Sequence, residues 1–403
     1  MTMNMNVKNI SSRLLTAVGV AILLSSCGGQ DEIYKEWVKK GGYDYPAKAI
    51  NLTSVSGYQS VIVTWEKPMD PAVRTATLFW DNYASSRDID YANYPDGKVS
   101  MEVGDLEDRS YTFDIVNYDD SGNRSLAAEI TVSPYGDSWM ISRSERTVNL
   151  ARMDGKDAKI VMSKATDEMI TTRFRYKNLQ DEWVDCETVL KPGENEVTFP
   201  NALKGKRFEY SSSFCPAAGK DTVWSHWTKS PDGISYALDG KRWNVSVTKN
   251  QYFGINVPSN IFDGNMDLSA FSWHSSKSDA IKNQFPKILS VDTQKSVGEE
   301  YAFTCFEFYE HPDQPTLRYI KDFVIYVGSS YYNPDDSDYL NNYGIPFIGT
   351  QFKTDARMSS ASATQGATGR YFAIVFKNSQ NTKDGFIDLW ELVPYGYIPS
   401  QAD

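Results

Sequence analysis

The chain has 403 residues, a formal net charge of −11 and a pI near 5.0. That acidity argues against nucleic acid and anionic membranes as partners, since both need a basic field. With 25 Tyr, 19 Phe and 10 Trp in a composition 41% hydrophobic, the chain can fold, and its length suits roughly two to four domains.

At the start, Lys8 and Arg13 precede an uncharged run from Leu14 to Leu24, followed by Ser25, Ser26 and Cys27. The run is about eleven residues, against the roughly 20 that a helix needs to cross hydrocarbon, so it reads as an export signal. Leu24-Ser25-Ser26-Cys27 resembles the bacterial lipobox, whose cysteine is acylated and becomes the mature N-terminus. The alternative is a cleaved secretory signal with an incidental cysteine. The lipobox reading makes residues 1–26 a signal peptide and 27–44 a tether, with a lipid on Cys27 as the only membrane contact. The acidic Gly28-Gly-Gln-Asp-Glu32 resembles the surface-export signal of Bacteroidota lipoproteins, which implies the outer membrane and its exterior face.

Beyond the tether, short alternating or apolar runs are separated by Gly, Asp, Asn and Pro, an all-β signature with no long amphipathic helix. Val61–Trp65, Thr75–Trp80 and Tyr111–Val116 read as strands of a first unit, residues 45–135, with a turn at Asp119–Ser125. A tryptophan ending the second strand, and Leu106 ahead of Tyr111, resemble a fibronectin type III domain. That family ties the tyrosine hydroxyl back to nearby backbone. A second unit, 146–235, reads as strands around 158–162, 171–176, 182–186, 196–199, 207–210 and 222–227. It resembles the same sandwich, with Leu203 ahead of Phe208 and Tyr210 loosely repeating the corner. Ile33-Tyr34, Tyr45-Pro46 and Asp70-Pro71 before Phe79-Trp80 also resemble an uncharacterised N-terminal module of Bacteroidota lipoproteins across residues 31–235.

The third unit, 241–398, carries Ile261-Phe-Asp-Gly-Asn265, Phe271-Ser-Trp-His-Ser275 and Phe285-Pro-Lys-Ile-Leu-Ser-Val-Asp292. Cys305–Tyr309, Ile320–Val327, Gly369–Phe376 and Ile387–Leu392 follow. The order resembles the discoidin, or coagulation factor 5/8 C-type, domain, a galactose-binding-like jelly roll. It departs from that family in a longer insert before Trp273, in Leu268 or Ser269 where threonine is usual, and in the arginine expected after Tyr309, which is displaced or replaced by His311. The expected fold is therefore all-β: two fibronectin type III-like sandwiches followed by a jelly roll.

Lipidation would use one of the four cysteines. Cys186 and Cys215 fall in one expected domain and either pair or remain thiols; Cys305, flanked by apolar residues, reads as a small core side chain. The three histidines are scattered, and no catalytic or phosphate-binding motif is present, so no catalytic residue is assigned. The resemblance implies a structural calcium ion in the Asp263–Asp267 loop, held by Asp263, Asn265 and Asp267 and completed by Glu391; a plain solvated turn is the alternative. It also implies loops that bind a glycan or glycoprotein, for which Tyr252 with Phe253, His274, His311, Arg318, Tyr331 and Tyr332 are candidates by position. Chains of this layout resemble non-catalytic accessory proteins of polysaccharide utilisation, working beside an outer-membrane transporter. The rival reading is a structural or protein-binding envelope lipoprotein.

Overall fold

The computed structural model describes residues 45–267, 270–275, 284–310, 320–351, 358–380, 385 and 387–403. The signal, the tether with Cys27, and the candidates His311 and Arg318 lie outside the described residues. The chain forms two compact units, one ending at Gly136 and the other running from Asp137 to Asp403.

The first unit contains β1 (Ile50–Gly57), β2 (Ser60–Glu66), β3 (Thr75–Trp80), β4 (Ser85–Asp90), β5 (Lys98–Val103), β6 (Tyr111–Tyr118) and β7 (Ala128–Val132). Its sheets have the orders β1-β2-β5 and β4-β3-β6-β7. The two-residue period of β2 drives Val61, Val63 and Trp65 inward, all fully buried. Trp65 Nε1 is satisfied by Tyr91 Oη at 3.1 Å. The expected tyrosine corner is present: Glu107 N donates to Tyr111 Oη at 3.0 Å.

The second unit opens with α1 (Asp137–Ile141), then β8 (Val148–Asp154), β9 (Asp157–Met162), β10 (Met169–Lys177), β11 (Trp183–Asp185), β12 (Glu196–Phe199), β13 (Glu209–Phe214), β14 (Val223–Trp224) and β15 (Thr228–Lys229). These give sheets β12-β9-β8 and β11-β10-β13-β14, with β15 also on β13. The corner expected here is missing. Phe208, which has no hydroxyl, takes the corner position and packs with Phe174, Phe199 and Tyr210 instead. Cys186, Cys215 and Cys305 are all free thiols, so the Cys186–Cys215 pair does not form.

The remainder of this unit is β16 (Tyr236–Ala237), β17 (Asn244–Val247), β18 (Trp273–His274), β19 (Lys287–Asp292), β20 (Tyr301–Tyr309), β21 (Ile320–Gly328), α2 (Tyr339–Asn342), β22 (Ile348–Gln351), β23 (Met358–Gly369), β24 (Tyr371–Ser379), β25 (Asp388–Leu389) and β26 (Glu391–Tyr397). Two sheets, β16-β26-β20-β23 and β17-β19-β24-β21-β22, enclose Trp273, Phe303, Phe306, Phe308, Phe323, Phe372 and Phe376. Each such ring, fully buried, contributes roughly 1.5–3 kcal/mol. The chain is thus nearly all β, in sandwich-type sheets.

The last two sandwiches share one compact unit and are joined by more than a linker. Arg152 of β8 reaches Glu307 of β20 at 2.5 Å, and Tyr309 and Tyr395 donate hydroxyl bonds to the other Glu307 oxygen at 2.8 and 3.1 Å. Asp232 accepts from Gly366 N and Tyr397 Oη at 2.9 and 2.8 Å. Ser235 lies in parallel bridge with Arg152, and Arg207 N donates to Ala402 O. A Cβ on Gly233 would lie 2.2 Å from the Gly205 carbonyl oxygen, so only glycine permits this approach.

Glu307 is 4% exposed, and removing its counter-charge leaves a buried carboxylate with tyrosine donors alone. Arg152→Ala is expected to destabilise this unit by roughly 3 kcal/mol, while Glu307→Gln costs less, as read from urea midpoints. A fragment starting at residue 241 lacks β16 and Asp232, and is expected to unfold at lower urea than residues 137–403.

Candidate functional site

The third sandwich carries a groove of about 240 Å³ beside β17 and β19. Its walls come from three segments: Thr248, Lys249 and Gln251 after β17; Gln284, Phe285 and Pro286 before β19; and Pro334 to Ser337 with Tyr339 after β21. Hydrogen bonds knit them together. Thr248 Oγ1 donates to Pro334 O and accepts from Ile288 N, at 3.0 and 2.9 Å. Lys249, in left-handed backbone at φ 48°, donates its N–H to Asp335 Oδ1 at 2.6 Å.

The loop after β21 is held by tyrosines. Val324, Tyr326, Ala373 and Val375 form an apolar outer face on the sheet, and Tyr332 and Tyr343 cover it. Tyr343 meets Tyr332, Tyr326 and Tyr339 at 4.8, 5.3 and 5.8 Å, and its hydroxyl donates to Asn333 O. Tyr332, 8% exposed, is therefore an anchor of the loop and no ligand contact, contrary to the sequence expectation. Its neighbour Tyr331 is 52% exposed, with its hydroxyl 2.8 Å from Ser246 Oγ.

Tyr252 and Phe253 follow directly on Gln251 and are exposed. His274 is not: it is 4% exposed, its Nδ1 lies 2.6 Å from Ser275 O, and its Nε2 stands 4.0 Å from Asp388. Ser272 Oγ donates to the same carboxylate at 2.6 Å. A ligand at the surface does not reach His274. The residue instead supports Phe253, whose N–H donates to His274 O and whose ring lies 6.3 Å from the imidazole.

Asp263 Oδ1 accepts from Asn265 N and Asn265 Oδ1 from Asp267 N, at 2.7 and 3.0 Å, so these side chains close turns of their own loop. Glu391 is buried; one oxygen accepts from Gly264 N at 3.2 Å, and the other has no partner among the described residues. Burial, with Asp263 nearby, pushes the Glu391 carboxyl up to about 8. Calcium takes 6–8 oxygens. Among the described residues no three His, Cys, Asp or Glu converge as a metal site.

Sequence reasoning missed Lys249, Gln251, Gln284, Phe285, Asp335, Asp336 and Tyr339. The carboxylates do not read as an acid–base pair. Asp335 caps Lys249 N, while Asp336 accepts from Asp338 N and Asn342 Nδ2, both at 2.8 Å, so they build the wall.

A model of a domain of unknown function, DUF4998, matches residues 27–221. No curated protein matches the chain in sequence. Among solved structures, the family 32 carbohydrate-binding module of C. perfringens NanJ, in complex with galactose, is 16% identical, with a TM-score of 0.31 over 40% of this chain and 99% of that one. A SusE-like protein is 8% identical, with a TM-score of 0.32 over 86% and 96%. A two-domain fibronectin type III segment of chicken tenascin is 10% identical, with a TM-score of 0.21 over 45% and 99%. At such scores none of these likenesses bears on function. Among the described residues no helix is long and apolar enough to cross a membrane.

Behind the groove, Lys287 is 1% exposed, donates to Gln251 Oε1 at 3.0 Å and lies 5.1 Å from the Phe285 ring centre. Burial brings its ammonium down to about 8 from 10.5. The unfolded chain then binds the extra proton between those values, so the cost of the buried charge is present below pH 8 and is relieved as pH rises towards 10.5. Lys287→Met is expected to remove a rise in stability on the order of 1–3 kcal/mol between these limits, read as the difference between wild-type and variant urea curves.

Proposed function

We propose that this groove binds carbohydrate, and that the chain is a non-catalytic lipoprotein of the outer-membrane surface, accessory to polysaccharide utilisation. The observation that carries the reading is the groove itself. A Phe285 and Tyr339 lining, the amide of Gln284, and the carboxylates of Asp335 and Asp336 converge beside exposed Tyr252 and Phe253. Sugar rings need an apolar face to stack upon and fixed polar groups for their hydroxyls, and this arrangement supplies both. The groove is smaller than the roughly 300–1,000 Å³ typical of drug-sized ligands, so it suits one or two rings, with the remainder of a chain over Tyr252 and Phe253.

The test is affinity electrophoresis of the full chain through a panel of neutral polysaccharides. Tyr252→Ala and Phe285→Ala are each expected to weaken retention roughly 10-fold, the scale of losing an aromatic anchor, with the fold intact by circular dichroism. A folded chain retained by none of the panel would count against sugar binding. Exposed Ile255, two residues beyond Phe253, favours a second reading, a protein partner; capture from solubilised envelope that sugar does not compete away would support it.

Calcium belongs to the same reading. Asp263 and Glu391 would hold it, and the ion would supply the positive charge that lets a buried carboxylate ionise. Added calcium is expected to raise the melting temperature by a few degrees at neutral pH and to have no effect in Glu391→Gln. An equal response in both chains would remove the assignment.

A further inference from the structure

The solvent face of the second sandwich presents an alternating stack of cations and indoles. Strand period places Thr172, Phe174 and Tyr176 of β10 in the interior, and Arg173, Arg175 and Lys177 outward. The Arg173 guanidinium sits 4.0 Å from the Trp224 ring centre and 4.7 Å from that of Trp227. Arg175 lies 4.6 Å from Trp227 and 5.5 Å from Trp183, and the Lys177 ammonium is 5.3 Å from Trp183. Two of the three cations are neutralised, Arg175 by Glu209 at 2.5 Å and Lys177 by Asp181 at 3.2 Å. Arg173 lies against two indoles and pairs with no carboxylate among the described residues. Trp183 and Trp224 are 44% and 38% exposed.

We propose that this strip is a binding surface for an anionic polysaccharide, with Arg173 as receptor for a uronate carboxylate. A guanidinium is a rigid donor fork that fits a carboxylate through two parallel bonds, and contact with two indoles orders it before any ligand arrives. Its position on an acidic chain is no obstacle. Charges beyond about 8 Å are screened at physiological ionic strength, so the unmatched local cation decides. The cations occupy alternate residues of one strand, i, i+2 and i+4, over roughly 13 Å, a linear array that suits a linear polymer lying along it. This surface is separate from the groove of the third sandwich and does not depend on it.

Polygalacturonate, its fully methyl-esterified form, dextran sulfate and poly-glutamate serve as probes for the full chain, each at low and high salt. Polygalacturonate retention is expected to fall roughly 5- to 10-fold in Arg173→Gln, in keeping with loss of a charge-assisted pair. It should rise in Glu209→Gln, which frees Arg175, stay unchanged in Phe285→Ala, and vanish for the esterified polymer. The Glu209 variant separates binding from scaffolding, since a purely structural stack would lose stability and gain no affinity. If Arg173→Gln fails to fold, Arg173→Lys replaces it, with weaker but salt-sensitive retention expected. Retention indifferent to both Arg173 variants, preference for poly-glutamate, or equal loss of all polyanions in salt whatever stands at position 173 would overturn the proposal.

Discussion

A buried carboxylate cannot stand alone, and Glu307 does not. Its counter-charge comes from Arg152 of the preceding sandwich, while its second oxygen is held by two hydroxyls of its own sheet. β20, which carries it, lies between β26 and β23, so the ion pair anchors the middle of one jelly-roll sheet to a different sandwich. Asp232 repeats the device with uncharged donors from Gly366 and Tyr397. The third sandwich is thus completed by its neighbour, and the loops around the groove rest on that combined body.

Much of the fold was legible because strands buried on one side alternate and strands buried on both sides are apolar throughout. β3 and β12 match the sequence reading residue for residue, and β2, β10, β20 and β21 contain the expected runs. β23 escaped notice because Met358–Gly369 is, apart from Met358 and Gln365, built of Ser, Ala, Thr and Gly, with no apolar period to read. It is a strand by virtue of its partner, the phenylalanine-rich β20. The boundary near residue 241 also falls differently: β16 already belongs to the third sandwich, and Ala402 bonds back to the second. Sequence spacing carries no trace of such side-to-side contacts.

The candidate site was less legible, for a reason visible in Tyr331 and Tyr332. Adjacent in sequence and alike in chemistry, they part company because one faces solvent and the other covers the sheet with Tyr343. His274 failed as a candidate in the same way, on a strand whose pairing with β25 turns it inward. Phe285 and Tyr339 had no motif to mark them; only the folding of three separate loops brings them to one groove. Glu391 was singled out only through the family resemblance, which puts a glutamate on the last strand; in the fold it is buried, with one oxygen held by Gly264 N.

The contact between Gly233 and Gly205 has an evolutionary consequence. Two backbones touching without side chains leave no slack at the end of the second sandwich, just before the chain enters β16, and lengthening it there would separate Arg152 from Glu307. Modules joined in this manner are inherited as a block. Recombination that exchanged the last sandwich for a foreign one would strand a buried acid and a bare arginine, so diversification in such a lineage is confined to the loops that the joint leaves free.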